Sequence, residues 1–169
     1  MAVSVKGSLI SSQVDISSKA ELVDAEINTR TGPHVSVASL YRPPTNVQNG
    51  CNYIDDNLTA AINQLCIKYP ENPIWIGRDA NLPEIDWRSD SVTGCKYNQN
   101  INSKFLTYCN KNGLEQTVDL PTRYDNLLDI LLTNRPSLMS RTDSVLGVSD
   151  HQGILASSLV KPRYKRPVK

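Results

Sequence analysis

The sequence predicts an α/β protein with a mixed sheet structure, two sheets packed face to face with helices outside. Three observations carry this. Stretches 2–6 and 20–28 alternate with a period of two and 35–41 reads as a further strand, while 52–69 and 100–112 repeat apolar residues at helical spacing. Strands and helices do not follow a strict βαβ alternation, which argues against a purely parallel sheet. A chain of 169 residues is long enough for one domain with a substantial core.

Residues 2–6 read as a strand from the outset, as if the chain opened inside a fold. Stretch 11–19 is polar apart from Val14 and Ile16. In 20–28, Leu22, Asp24 and Glu26 alternate with Val23, Ala25 and Ile27. Thr31-Gly32-Pro33 marks a turn, and 35–41 is a strand stopped by Pro43-Pro44. These elements read as a β-meander. In 52–69, Ile54, Leu58, Ala61, Ile62, Leu65 and Tyr69 share one helical face, and Pro70 and Pro73 close the helix. Ile74-Trp75-Ile76 is a short buried strand that runs into the polar cluster 77–83. Helix 100–112 turns Ile101, Phe105, Leu106 and Cys109 inward and stops at Gly113. Stretch 114–120 is a strand and 121–126 a polar loop. Stretch 127–132 is an apolar strand interrupted by Asp129. Strands 141–145 and 152–160 finish the sheet, with Asp150-His151 at the corner between them.

The net charge of +1 hides an asymmetry. Residues 161–169 (KPRYKRPVK) hold five cations and no anion, which leaves residues 1–160 at −4. The division expected is therefore a folded domain over 1–160 and a basic tail over 161–169, a linker or an arm that touches nucleic acid. Cys51, Cys66, Cys95 and Cys109 form no C-x-x-C pair, which argues against zinc, and read as thiols in a reducing, intracellular compartment. No apolar run is long enough to span a membrane and no signal peptide is expected; the Asn57-Leu58-Thr59 sequon falls mid-helix in a chain read as intracellular and is discounted.

Three anomalies line up. Asp79 and Asn81 follow a buried strand, where α/β folds place ligand sites. Asp129 interrupts an apolar strand, where a lone carboxylate is costly unless it accepts a hydrogen bond. His151 is a natural donor, and an Asp129–His151 pair would fix the imidazole's tautomer. Asp79, Asn81 and Asp150 then have the chemistry to hold a hard divalent cation and a water. Singly, each feature is as readily a turn, a cap or a surface residue. Together they point to a metal-dependent hydrolase.

The residues also match a known family. Gly77-Arg78-Asp79-Ala80-Asn81 resembles the G-D-x-N motif of the exonuclease–endonuclease–phosphatase superfamily. Leu128-Asp129 resembles its L-D strand, and Ser149-Asp150-His151 its S-D-H motif. Tyr41-Arg42-Pro43-Pro44, 82–87 (LPEIDW), Pro121-Thr122-Arg123 and 127–136 (LLDILLTNRP) are similar to the endonuclease domain of LINE-type non-LTR retrotransposons.

That resemblance implies a four-layer α/β sandwich of two mixed sheets flanked by helices, lacking its first strands. It implies Mg²⁺- or Mn²⁺-dependent nicking of DNA in the nucleus, in a polyprotein that also carries a reverse transcriptase domain. His151 is implied in the attack on phosphorus, oriented by Asp129. Asp79 would position or deprotonate the water, Asn81 and Tyr41 would contact the phosphate, and Asp150 would be a metal ligand. Arg42, Arg78 and Arg123 are the candidate DNA contacts.

The chain departs from the family pattern in three ways. Neither an opening Asn strand nor the strand with a metal-binding glutamate is present, and Glu21 and Glu26 match neither. Weak metal binding and a homodimer closed by strand exchange are the expectations that follow. Ala80 stands where Phe is usual, and Arg78 where a second Gly is usual. The basic tail resembles the start of a linker. A nuclease-derived binding module without catalysis is the alternative function, and a phosphatase of the same superfamily a third.

Overall fold

The computed structural model describes residues 3–14, 22–41, 59–94, 99–147 and 149–166. Ten strands and two helices are described, in the order β1 (Ser11–Val14), β2 (Leu22–Ile27), β3 (Val35–Tyr41), α1 (Thr59–Lys68), β4 (Ile74–Asp79), β5 (Ile85–Asp86), β6 (Ser91–Val92), α2 (Gln99–Lys111), β7 (Glu115–Gln116), β8 (Asp129–Thr133), β9 (Met139–Val145) and β10 (Gly153–Ser158).

Six strands form one mixed sheet in the order β1-β2-β3-β4-β8-β7. The meander holds for β1 to β3, all antiparallel. β3 then pairs parallel to β4, because the chain between them crosses over through α1. β4 pairs antiparallel to β8. The architecture is the mixed α/β sandwich that the periodicities predict.

Pleat alternation divides the two faces of this sheet. β4 buries Ile74, Ile76 and Arg78 on one face and sets Trp75, Gly77 and Asp79 on the other. On the first face, Ala38, Leu40, Ile76, Ile130 and Leu132 pack with Ile62 and Leu65 of α1 and with Phe105 and Leu106 of α2. The second face carries Val23, Val37, Trp75 and Leu131, each half-covered. The β9–β10 hairpin ties onto this side, where the Thr142 hydroxyl donates to the Thr117 carbonyl at 2.8 Å. Asn134 braces the start of β4 by accepting from the Ile74 amide at 2.8 Å and donating to the Asn72 carbonyl at 3.2 Å.

Several expectations need correction. Residues 3–6 form no strand; β1 lies instead in the polar stretch, where edge pairing to β2 outweighs poor patterning. The hairpin of β5 and β6 was not foreseen, because two-residue strands have no period to read. β8 starts at Asp129, so this carboxylate sits at the strand's mouth and not in its interior. The basic tail is no free linker over 161–166: Arg163 bonds Asn28 and Ile10 through its backbone, and Lys165 bonds Ser8. The first part of the predicted helix, 52–58, lies outside the described residues, as do Cys51 and Cys95. Cys109 is buried and Cys66 half-buried, both free thiols. No helix among the described residues is long and apolar enough to cross a membrane.

One buried carboxylate on the helix-facing side works against stability. Asp24 is 2% exposed, and loss of hydration pushes its carboxyl up to about 6. The folded state therefore holds the proton more tightly than the unfolded chain, so this group's contribution falls as pH rises from about 4 through about 6. Asp24→Asn is expected to stabilise the protein by about 2–3 kcal/mol at pH 8 and to have little effect near pH 3.5. Urea denaturation at the two pH values checks this.

Candidate active site

The site lies at one end of the sheet, where β4 stops and β8 begins. Antiparallel register sets Asp79, the last residue of β4, opposite Asp129, the first of β8. Both side chains emerge on the half-covered face. Asp79, Asp129 and His151 each bring a donor atom within 4.8 Å of the others, all three half-buried.

The bend at 149–152 delivers His151 to this cluster. Its Nδ1 lies 2.7 Å from Asp129 Oδ2. A carboxylate only accepts, so Nδ1 carries the proton of this bond and Nε2 is left for other work. Burial raises the Asp79 carboxyl above the usual carboxylate range, and the nearby charge of Asp129 raises it further. The Asn81 amide counters this by donating to Asp79 Oδ1 at 3.1 Å. Asn81 makes this turn with φ at +49°, a conformation asparagine tolerates better than most residues. The expected Asp79, Asn81, Asp129 and His151 are thus brought together.

Thr122 was not singled out from the sequence, although the Pro121-Thr122-Arg123 motif contains it. Its side chain is fully buried. Its hydroxyl oxygen accepts from the amides of Leu128 and Asp129, at 3.0 and 2.9 Å. Its carbonyl accepts from the Gln152 amide at 2.7 Å. One residue therefore ties the mouth of β8 to the bend that carries His151. The sequence signal was its place within the Pro121-Thr122-Arg123 motif.

The remaining candidates divide. Asp150 stands outside the three-residue cluster: its Oδ2 accepts from Arg123 Nε at 2.9 Å and lies 2.6 Å from Nη2. Arg123 thus meets the carboxylate expected on a metal, and it holds the Asp150 carboxyl below its usual range. Arg78 needs correction as a DNA contact. It is 5% exposed, on the opposite face of β4 from Asp79, with its guanidinium 4.6 Å from the Phe105 ring centre. Trp87 packs edge-on to the same ring, as a packing residue should. His34 lies at the surface, 3.3 Å from Glu26. Tyr41 ends β3 beside Asp79 in the register; its side chain lies outside the described residues, as does Arg42.

An α/β sandwich that gathers two carboxylates and an oriented imidazole at adjoining strand ends has the layout of an acid–base site. Residues 35–155 match the family model described as endonuclease-reverse transcriptase, and the chain belongs to that family, a branch of the exonuclease–endonuclease–phosphatase superfamily. The match spans every member of the cluster. No curated protein matches the chain.

Thr122→Val removes one acceptor and leaves two buried amides unpaired. It is expected to destabilise the domain by about 1–3 kcal/mol, whereas Thr122→Ser is expected to retain most of the stability. Denaturant melts report both. Hydrogen exchange at the Leu128 and Asp129 amides is expected to quicken in the valine variant alone.

Proposed function

We propose that this domain is a metal-dependent DNA endonuclease that nicks target DNA for retrotransposition, beside a reverse transcriptase domain of the same polyprotein, in the nucleus. The observation that carries the reading is the convergence of Asp79, Asp129 and His151, with His151 held by Asp129 at 2.7 Å.

Each side chain has a task suited to its surroundings. Asp79, at the end of β4, positions the attacking water. Asn81 holds Asp79 in place and faces the phosphate from the same turn. Asp129 keeps the His151 imidazole in the tautomer that presents Nε2 to the phosphoryl group. Tyr41, at the end of the neighbouring strand, is the proposed hydroxyl donor to a non-bridging oxygen.

The donor set suits a hard divalent cation. Two carboxylates that repel each other across one register pair match Mg²⁺ or Mn²⁺, which keep several waters and need few protein ligands. Asp79 and Asp129 would hold the ion, and Asp150 would join them on leaving Arg123. Bound there, the cation would offset the negative charge that grows on the phosphoryl oxygens. With so few ligands, binding is expected to be weak. Strand exchange between two copies is the assembly this reading favours, since β1 is an edge of the sheet.

Plasmid nicking tests the proposal. The full chain is expected to convert supercoiled to open circular DNA with Mg²⁺ and to lose this in excess chelator. His151→Ala is expected to slow it by about 10²–10⁴-fold, the range for loss of a general acid–base group. Equal rates for the two proteins would remove His151 from the mechanism. Calorimetric titration with Mn²⁺ reads the metal separately, and Asp79→Asn should abolish its heat.

A further inference from the structure

The loop that joins β9 to β10 turns His151 toward Asp129, and its two sides nearly touch. The ladder pair nearest the loop is Val145 with Gly153. Two residues beyond Val145, Gly147 meets the carbonyl of His151 across the loop. A side-chain carbon at 147 would stand 1.7 Å from the His151 carbonyl oxygen, 2.8 Å from its carbonyl carbon and 3.3 Å from the carbonyl carbon of Gln152. All three are backbone atoms of the bend, so none can swing aside as the end of a side chain can. Gly147 lacks the left-handed φ of Gly32 and Gly113. The obstacle to a side chain there is the His151 carbonyl and not the handedness of the backbone.

Magnitudes decide what such a side chain would do. A side-chain carbon keeps at least 3.0 Å from such atoms, so a start at 1.7 Å requires a shift of about 1.3 Å. The bond between His151 Nδ1 and Asp129 Oδ2 begins at 2.7 Å and is lost beyond about 3.5 Å, a margin of about 0.8 Å. The two sides of the loop are unequally held. Gly147 follows β9, which the ladder to β10 and the Thr142 hydroxyl anchor to the body. The bend is tied by the Gln152 amide on the Thr122 carbonyl and by the exposed Arg123–Asp150 pair, both weak against an overlap this deep. The bend is therefore the side that gives way.

We infer that Gly147 is a positioning residue of the site. Its missing side chain leaves the space that the His151 carbonyl fills, and this fit holds the imidazole against Asp129 with its proton on Nδ1. Any side chain at 147 pushes the bend outward and releases the ring. The catalytic consequence rests on the nuclease reading above; the fit itself does not. Gly153, at the other foot of the loop, differs. A side-chain carbon there would meet Val145 Cγ2 at 2.9 Å, the end of an exposed side chain that can turn away.

The chain has two histidines, so ¹⁵N labelling of imidazoles gives two ring systems, His34 and His151. Long-range ¹H–¹⁵N correlation above pH 8, without metal or DNA, reads the tautomer of each. Every protein carries Asp24→Asn, whose expected stabilisation at this pH keeps the variants folded, and circular dichroism confirms the fold. The parent and Gly153→Ala are expected to hold the His151 proton on Nδ1. Gly147→Ala is expected to shift it toward Nε2, as in a free imidazole, with the His34 signals unchanged. A His151 proton on Nε2 in the parent, or on Nδ1 in Gly147→Ala, would overturn the proposal. So would an equal change in Gly153→Ala. Unfolding of Gly147→Ala alone would also overturn it, because Gly147 would then support the whole domain and not the bend. In plasmid nicking, Gly147→Ala is expected to be slower by about 10²-fold, the cost of a displacement of about 1 Å, with Gly153→Ala near the parent rate. An altered tautomer with the parent rate would overturn the positioning role. If no protein nicks, the nuclease reading falls and the tautomer comparison still decides the fit.

Discussion

Asp79 and Asp129 face each other because β4 and β8 pair antiparallel in one register. Two half-buried carboxylates side by side repel; burial first, and the charge of Asp129 second, make Asp79 hold its proton more tightly than usual. The surroundings answer that repulsion. Asn81 gives one aspartate an amide, and His151 gives the other an imidazole N–H. A shift of one residue in the pairing would move one carboxylate to the core face and dismantle the site. The six-stranded sheet, the helices that cover its first face and the bend that delivers His151 all serve to keep this register.

The polar groups around that pair form a connected frame. Thr122 joins the loop at 121–126 to the start of β8 through its hydroxyl and to the 149–152 bend through its carbonyl. Arg123, the next residue, draws Asp150 outward, so that Asp150 and His151 point to different partners although they are adjacent. Arg78, the departure from a more usual glycine, is accommodated because Phe105 presents the face of its ring to the guanidinium on the core side. It stands outside the chemistry for the same reason that Asp79 stands inside it: successive residues of a strand project to opposite faces.

The molecule also separates its charges. The body is mildly acidic, and the cations of the tail are carried to the pole remote from the carboxylate cluster by a backbone pairing with Asn28–Arg30 and Ser8–Ile10. A basic tail that merely trailed from the domain would spread the same charge through solvent. Fixing it beside Arg30 and Lys6 makes a patch with a shape.

The sequence by itself determined the α/β class, the meander, both helices and the set of polar residues that gather at one end of the sheet. Periodicity records which face a residue must bury, and an Asp or His beside an apolar run stands out because burying it alone is costly. Motif order placed Asp79, Asn81, Asp129 and His151 in one family's pattern before any contact was known. Tertiary structure decided what depends on pairing between distant segments. The register that opposes Asp79 to Asp129, the ion pair of Asp150 with Arg123, the burial of Arg78 and the seating of the tail all join residues tens of positions apart. Thr122 shows the difference most plainly. A threonine in a polar loop has no period and no charge to mark it, and its importance comes from two amides and a bend that only the folded chain brings within reach.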